Sequence, residues 1–511
     1  MMRSQKKFEK IAEDNNSPFF RNWLFCVGTS QYKKVLGIDG PTMAVFSRQN
    51  KIEYFTRMDT WAKAHEDFKK RAQMDYRLIE QLIDMANAHG TRMNLWTEKE
   101  IFKAPLPGYS SSKLLQLYGK YLELDALEYT YGVSLPILDF QGFSLVENSI
   151  TTFLKGKVPA DKLQNYFAVF TEPIRNSFFQ DQEESLLRLV KKYQPTSGWR
   201  KDILALDLDD IKNRHPNFYR DLARHTSRFA WVYYVYMGPA FTEREFFEFI
   251  REVVRNKVNP AKKLLKFAAK RSRIKKLKSL YLKQLRPDPF NKSMLKLAGK
   301  MVWAKPRRKD YQSKSYYHVE KLQQELAQRL FVSLQQIRNT PLEFLETAIL
   351  TNKSFVQTAN EILREHVCVR VGDGRVKVLS GKEAERFVKR HVKKPAARRT
   401  GVLRQKVLSG QIAFTGKVRG RVRIINRPDE MGKMKTGDIL VSIATSPSIV
   451  PAMKKAAAIV TDEGGLTCHA SIVSRELETP CIVGLKYATR IFKDGDRVEV
   501  DANKGMIRKL K

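Results

Sequence analysis

The sequence predicts an α + α/β protein, in which a large, mainly α-helical domain precedes a compact β/α domain. Apolar residues recur at helical spacing through most of residues 60–365. After Val407, short β-branched runs alternate with turns and short helical segments. The chain has 511 residues, 42% of them apolar, which is enough for roughly two to four domains with cores of their own.

The first 392 residues are predicted to be mainly helical. Residues 1–60 contain short apolar runs between glycine and proline breaks, which indicates a mixed, β-containing or irregular start. Residues 61–392 follow helical periodicity, with a capping box at Thr242-Glu-Arg-Glu245. The pattern also predicts two basic helices between Pro260 and Leu285 and a strand hairpin within residues 367–378. Aromatic side chains on these helices are expected to pack the core.

A charged, proline-marked linker is predicted over residues 393–406, before a last domain of residues 407–511. If most of the linker is extended, it could span roughly 40 Å, so the last domain could move on this tether. Within that domain the runs Val418–Ile425 and Ile439–Ile443 predict strands. Ala456–Val460 is expected to form a buried strand.

The most specific stretch is Gly464-Gly-Leu-Thr-Cys-His469. A turn follows the predicted strand, and Cys468–Leu477 is predicted to be a helix, so His469 lies in its first turn. Backbone N–H groups and the helix dipole favour an anion there. The amides of Gly464 and Gly465 can approach a bound group, and Thr467 adds a hydroxyl donor. The stretch therefore suits a phosphoryl group held on a histidine nitrogen.

Other interpretations of these residues stay open. Cys468 and His469 could form a Cys–His nucleophile, although adjacent side chains diverge on a helix. Cys481 could join them in a zinc site, but the spacing matches no known zinc pattern. Arg475 and Glu476 could be a surface ion pair. No HExxH, P-loop or dinucleotide fingerprint occurs, so we expect no metal and no cofactor held by a recognisable motif.

The chain is strongly basic, with 93 Lys and Arg against 54 Asp and Glu, a formal charge of +39. The densest part is residues 253–287, which has no acidic residue. Such a surface could attract nucleic acid or another polyanion. The competing interpretation is a solvated helix face, since no base-reading motif accompanies the lysines.

Compartment and membrane contact can also be predicted. The four cysteines, Cys26, Cys368, Cys468 and Cys481, form no paired pattern, which suits a reducing cytoplasm. The charged N-terminus does not resemble a signal peptide, and no run reaches the ~20 apolar residues of a membrane span. We expect a cytoplasmic protein that does not bind membranes.

A series of short motifs occurs in order over about 100 residues of the last domain. They are Gly410-x-x-Ala413-x-x-Gly416-x-x-x-Gly420, Gly437-Asp-Ile-Leu-Val441, Thr445-x-Pro447, Ala458-Ile-Val-Thr-Asp462, Gly464-Gly-x-Thr-Cys-His-Ala470, Ile472-Val-x-Arg-Glu476, Pro480-x-Ile-Val-Gly484 and Gly495-x-x-Val498-x-Val-Asp501. In these motifs the domain closely resembles the mobile phosphohistidine domain of the phosphoenolpyruvate (PEP)-utilising enzymes, which include phosphoenolpyruvate synthase, pyruvate phosphate dikinase and rifampicin phosphotransferase. The order of so many motifs makes the resemblance specific.

This resemblance implies a swivelling β/β/α domain in which His469 is transiently phosphorylated. It also implies that Thr467 and the backbone of Gly464 and Gly465 support the phosphoryl group, with Arg475 nearby as a charge partner. In the family, ATP or PEP with Mg²⁺ supplies the phosphoryl group at other domains. No ATP-grasp domain is recognisable in this sequence, and too little chain follows His469 for a PEP-binding barrel. We therefore expect a separate ATP-grasp partner, and a small-molecule acceptor held by the helical domain as in rifampicin phosphotransferase.

The sequence thus favours phosphoryl transfer through His469. One alternative is a non-catalytic regulatory or nucleic-acid-binding protein that keeps the domain as a scaffold and binds through residues 253–287. Another is a self-loading kinase with a diverged nucleotide site in the first 400 residues.

Overall fold

The computed structural model divides the chain into two compact units, Met1–Lys393 and Lys394–Lys511. It describes residues 7–15, 18–48, 51–140, 143–234, 236–351, 354–371, 375–393, 407–445, 449–465 and 468–510. The predicted linker over 393–406 lies outside these residues except for Lys393. Within the described ranges no helix is both long and apolar enough to cross a membrane.

The first unit is mainly helical, as predicted. Its longest described helix is α14 (Pro289–Arg329), which packs against α4 (Leu78–Thr97), α5 (Ser111–Leu138) and α6 (Leu145–Lys155). The helices are α1 (Phe19–Ser30), α2 (Tyr32–Leu36), α3 (Met58–Met74), α4 (Leu78–Thr97), α5 (Ser111–Leu138), α6 (Leu145–Lys155), α7 (Ala160–Thr171), α8 (Phe178–Tyr193), α9 (Trp199–Ala205), α10 (Leu208–Arg214), α11 (Pro216–Phe229), α12 (Glu243–Arg255), α13 (Pro260–Leu285), α14 (Pro289–Arg329), α15 (Leu334–Arg338), α16 (Leu342–Thr351), α17 (Val356–Arg364) and α18 (Gly381–His391).

The basic stretch forms one helix, α13, so the prediction of two helices was wrong. The Asn259 side chain caps its start by accepting a hydrogen bond from the Lys262 N–H at 2.9 Å. Pro260 occupies the first turn, where a missing N–H costs nothing. The helix ends at Arg286, whose φ of 44° is left-handed. No glycine or proline lies between these ends, and nothing else interrupts the hydrogen-bond ladder.

The capping box predicted at the start of α12 is confirmed. The Thr242 hydroxyl accepts a hydrogen bond from the Arg244 N–H at 3.2 Å, and the Glu245 carboxylate accepts one from the Thr242 N–H at 2.7 Å. Two N–H groups of the first turn, which have no partner inside the helix, are thereby satisfied.

A sheet joins the two ends of the first unit. Its strand order is β1-β3-β2-β6-β7, and every neighbouring pair is antiparallel. The sequence pattern predicted that residues 1–60 form a segment separate from the helical residues 61–392. In the structure, β2 pairs with β6 from the far end of the unit. That pairing covers an edge that the N-terminal strands would otherwise leave exposed. The strands are β1 (Glu9–Asn15), β2 (Met43–Arg48), β3 (Lys51–Thr56), β6 (Glu365–Arg370) and β7 (Val376–Ser380), with a separate pair, β4 (Asp139–Phe140) and β5 (Phe143–Ser144).

The second unit is built on an eight-stranded sheet of order β8-β15-β14-β10-β11-β12-β13-β9. Its elements are β8 (Val407–Ser409), β9 (Gln411–Phe414), β10 (Lys417–Ile424), β11 (Ile439–Ser442), α19 (Val450–Lys455), β12 (Ala458–Thr461), α20 (His469–Leu477), β13 (Cys481–Val483), α21 (Ala488–Ile491), β14 (Arg497–Asp501) and β15 (Met506–Lys509).

The middle of this sheet is parallel. Strands β10, β11, β12 and β13 run side by side in the same direction. Helix α19 connects β11 to β12, and α20 connects β12 to β13, as parallel strands require. Every residue of β11, β12 and β13 is buried, which explains why these strands are continuous apolar runs in the sequence.

Candidate functional site

The candidate site lies at the carboxyl ends of two neighbouring parallel strands. Thr445 follows β11 by three residues, and His469 follows β12 in the loop that leads into α20. In open parallel sheets this edge is where ligands bind, because connecting loops from adjacent strands meet there. The sheet thus brings together two segments that are 24 residues apart in the chain.

His469 is the first residue of α20 and is half-buried. The helix was predicted to begin one residue earlier, at Cys468, but the prediction that His469 lies in its first turn is confirmed. The Nδ1 atom of His469 lies 2.7 Å from the Thr445 hydroxyl oxygen and is hydrogen-bonded to it. Which atom donates depends on the tautomer of the ring. This contact orients the imidazole and makes its two nitrogens inequivalent.

Gly464 and Gly465 shape the loop before α20. Gly464 has a φ of +115°, and a Cβ atom there would lie 2.6 Å from the Cys468 sulfur. A side chain at this position would be strained and would collide with the helix start. The Gly465 carbonyl accepts hydrogen bonds from the Cys468 N–H at 3.0 Å and the Ser471 hydroxyl at 2.8 Å. The loop is therefore folded back onto the first turn of α20.

Asp462 fastens the other end of the loop. Its backbone N–H donates to the Ser442 carbonyl at 3.0 Å, which continues the β11–β12 pairing past both strands. Its carboxylate accepts hydrogen bonds from the Thr489 hydroxyl and from the Thr489 N–H at 3.1 Å, at the start of α21. Burial raises the pKa of Asp462 above its usual value. Asp462 thus ties the loop to the sheet and to α21.

The two cysteines near the site have different environments. Cys468 precedes α20, is half-buried, and its sulfur lies 3.4 Å from the Ser471 hydroxyl. Cys481 on β13 is fully buried, and burial raises the pKa of its thiol to about 12. In the described residues no three His, Cys, Asp or Glu side chains gather as a metal site. The zinc interpretation therefore gains no support.

Arg475 points into the interior of the second unit. It is buried, and its Nε donates a hydrogen bond to the Ala413 carbonyl of β9 at 3.2 Å. Six residues along α20 correspond to an axial separation of about 9 Å from His469. Its role as a charge partner of a phosphoryl group stays a prediction. Thr467, the other predicted supporting residue, lies outside the described residues.

The basic helix α13 is less uniformly exposed than its composition suggests. Lys263, Lys270 and Arg271 form ion pairs with Glu183, Glu172 and Glu184. The Lys278 ammonium donates to two backbone carbonyls, and burial lowers its pKa to about 8. The remaining basic side chains that are exposed to solvent are Lys262, Lys266, Arg273, Lys275, Lys276 and Lys283.

Two carboxyl groups lie buried on α5 in the first unit. Asp125 and Glu128 have no exposed surface. The Tyr121 hydroxyl donates to Asp125 at 3.0 Å, and Gln312 donates to Glu128 at 3.3 Å. Burial raises the pKa of Asp125 to about 7 and raises that of Glu128 as well. Their burial was not predicted, because no feature of the neighbouring sequence distinguishes these two residues from surface carboxylates.

The fold and the loop around His469 define the class of this unit. Residues 434–505 match the family model "PEP-utilising enzyme, mobile domain", so this part of the chain is similar to the mobile domain of PEP-utilising enzymes. The resemblance inferred from the sequence motifs is thereby confirmed for this unit.

Relatives that match the same region are phosphoenolpyruvate synthases. The chain is 54% identical over 101 residues to a probable phosphoenolpyruvate synthase of Archaeoglobus fulgidus, covering 20% of this chain and 13% of the relative. It is 54% identical over 103 residues to the phosphoenolpyruvate synthase of Pyrococcus furiosus, again covering 20% and 13%. The chain therefore spans only about an eighth of the length of these relatives.

A solved structure of aconitase X from Thermococcus kodakaraensis covers 21% of this chain and 100% of its own, with 22% identity and a TM-score of 0.18. That score is too low to support a comparison of folds.

Thr445 contacts His469 but was not among the site residues predicted from the sequence. It stands in the Thr445-x-Pro447 element, which was noted only as part of the resemblance. The signal that could have identified it is its position just after a buried strand, since two adjacent parallel strands place their following loops together.

Proposed function

We propose that the protein transfers phosphoryl groups through a phosphohistidine formed on Nε2 of His469. The observation that carries this proposal is the 2.7 Å contact between Thr445 and Nδ1 of His469. With Nδ1 protonated and donating to the Thr445 oxygen, the lone pair of the neutral ring resides on Nε2. A neutral imidazole held in this tautomer is a competent nucleophile near pH 7.

In the proposed step the Nε2 lone pair attacks the phosphorus of the donor, and the N–P bond forms as the bond to the leaving oxygen breaks. Nδ1 keeps its proton and its hydrogen bond to Thr445, so no proton has to leave the ring. The developing charge on the phosphoryl oxygens would lie near the start of α20, where the N–H groups of the first turn favour an anion. The Gly464–Gly465 backbone and Thr467 are proposed to support the same oxygens.

The donor we propose is ATP or phosphoenolpyruvate with Mg²⁺, because the relatives over this region are phosphoenolpyruvate synthases. A separate ATP-grasp protein is proposed to load the histidine. The second unit would deliver the group to a small-molecule acceptor. The proposed compartment is the cytoplasm.

The test is incubation of the full chain with labelled ATP or phosphoenolpyruvate and Mg²⁺, with and without a candidate ATP-grasp protein. Phosphoramidate serves as a donor that needs no loading protein. We expect label that is acid-labile and base-stable, and a ³¹P NMR signal of a phosphoryl group on Nε2. His469→Ala should abolish it. The matched control is His391→Ala on α18, which should label like the wild type.

Three outcomes would overturn the proposal. The first is label that persists in His469→Ala. The second is label that is stable to acid. The third is a phosphoramidate-treated protein in which His469 reacts no faster than His391.

The exposed basic face of α13 favours a second candidate function, binding of nucleic acid. Lys262, Arg273, Lys275 and Lys276 are exposed along this one helix, and such clusters attract polyanions. Neutralising the four together should weaken RNA binding and flatten its salt dependence if this function is real. Binding that is weak at low salt and unchanged in the variant would exclude it.

A further inference from the structure

The first unit contains a polar pocket that the proposed chemistry of His469 does not use. Its volume is about 550 Å³, within the range of about 300–1,000 Å³ that small-molecule sites occupy. Helices α4 and α14 form two of its walls, and the segment before α8 forms a third. Its lining includes two arginines and two aromatic residues, Arg175, Arg307, Trp303 and Tyr311.

Arg307 lies among aromatic rings, and the carboxyl of Asp310 also interacts with it electrostatically. Its guanidinium carbon lies 3.5 Å from the ring centroid of Phe178, 5.2 Å from that of Trp303 and 5.6 Å from that of Tyr311. The Arg307 Nε is buried, and among the described residues it has no hydrogen-bond partner. In the part of the chain that the structure describes, no ion pair joins Arg307 to a carboxylate. A guanidinium has five N–H donors, so this group is suited to a further acceptor.

Arg175 approaches the same indole from the rim of the pocket. Its guanidinium carbon also lies 5.2 Å from the Trp303 ring centroid, and its side chain is exposed. The indole is fixed in place, because Trp303 Nε1 donates to the Asn176 carbonyl at 3.0 Å. Two guanidinium groups therefore flank one rigid aromatic ring.

The acidic groups on the pocket wall already have partners. Asp84 forms an ion pair with Lys300 at 2.8 Å, and Asp181 accepts a hydrogen bond from the Asn176 amide at 3.0 Å. The third arginine, Arg271, donates to Glu184 at 2.7 Å and to Asn176 at 2.9 Å. The charged side chains of the pocket that can bind a ligand are therefore chiefly Arg175 and Arg307.

We propose that this pocket binds a small organic molecule through an oxyanion group, a phosphate or a carboxylate. Arginine binds both groups with two parallel N–H···O bonds, and the pocket is larger than an inorganic anion needs. The organic part would lie against Trp303 and the exposed side chain of Ile174, which also lines the pocket. Binding here does not depend on phosphorylation of His469.

The test is isothermal titration of the full chain with phenyl phosphate, benzoate and benzyl alcohol. These probes share an aromatic ring and differ in the oxyanion. We expect phenyl phosphate or benzoate to bind at least tenfold more tightly than benzyl alcohol, and their ratio distinguishes the two oxyanions. Equal affinity for all three, or no binding of either anion, would overturn the proposal.

Variants locate the binding site. Arg175→Gln and Arg307→Gln should each weaken binding of the preferred anion at least tenfold, whereas Arg273→Gln, which removes the same charge from the exposed face of α13, should not. Arg175 is exposed, so its variant should fold even if Arg307→Gln unfolds. His469→Ala should bind as the wild type does, which separates this proposal from the proposed phosphoryl transfer. Unchanged affinity in Arg175→Gln together with a folded, unchanged Arg307→Gln would refute the site.

Discussion

Replacing Thr445 by valine removes the hydroxyl that contacts His469 while nearly preserving the shape of the side chain. If Thr445 selects the tautomer that exposes the Nε2 lone pair, Thr445→Val should slow phosphorylation of His469. A neutral hydrogen bond contributes about 0.5–1.5 kcal/mol, and a buried donor left without an acceptor costs about 1–3 kcal/mol. Thr445 and His469 are half-buried, so water can replace part of the lost contact.

We therefore expect a loss of about 1–2 kcal/mol, which corresponds to roughly a 5- to 30-fold lower rate. The assay is the initial rate of labelling of His469 by phosphoramidate, because this donor reports on the histidine without a loading protein. The matched control is Thr445→Ser, which keeps the hydroxyl and should stay within about twofold of the wild type. Circular dichroism should show that both variants keep the fold.

Two results would refute this reasoning. If Thr445→Val is labelled at the wild-type rate while His469→Ala is not labelled, the hydroxyl does not select the reactive nitrogen. If Thr445→Ser slows labelling as much as Thr445→Val, the methyl group, and therefore packing, is what matters.

Three further predictions follow from the geometry. Gly464→Ala should destabilise the second unit by about 1–3 kcal/mol in urea unfolding, because Gly464 has a φ of +115° and lies close to the Cys468 sulfur. The control Gly437→Ala has a φ of +93° and open space around it, so it should destabilise the unit less. Equal losses of stability in the two variants would exclude a steric clash at Gly464. Burial raises the pKa of Asp125 from 3.8 to about 7, so between these values the folded state keeps a proton that the unfolded state loses. The free energy of unfolding should therefore fall as the pH rises from about 4 to 7. Asp125→Asn should show a shallower fall of the urea midpoint with pH, and an unchanged slope would contradict the raised pKa. Cys468→Ser should keep labelling of His469 within about twofold, since serine is a favourable residue at a helix start, and a complete loss would instead support a cysteine nucleophile.

Local sequence patterns predicted the elements around His469 well. The Gly-Gly turn, the buried run before it and the helix after it all depend on neighbouring residues, and α20 begins within one residue of the predicted start at Cys468. The contact with Thr445 depends instead on the parallel pairing of β11 with β12. Such pairing is set by the register of the whole sheet, so the sequence around His469 alone does not reveal which residue its imidazole contacts.

The same limit explains two differences in the first unit. Arg271 meets Glu184 across 87 residues of chain, so a helix whose own sequence lacks acids is partly neutralised by acids from elsewhere. Residues 365–369 pair with residues 44–48, which joins the two ends of the unit in one sheet. Both contacts are set by tertiary packing and are invisible to periodicity.

The strands that begin and end the second unit lie side by side, with Val407 of β8 paired to Arg508 of β15. The first and last described strands of this unit therefore lie at one edge of its sheet. A domain with adjoining termini can be inserted into a surface loop of a host protein without stretching either partner. This arrangement suits a domain that is combined with different neighbouring domains, and the matched region is a small portion of much longer relatives.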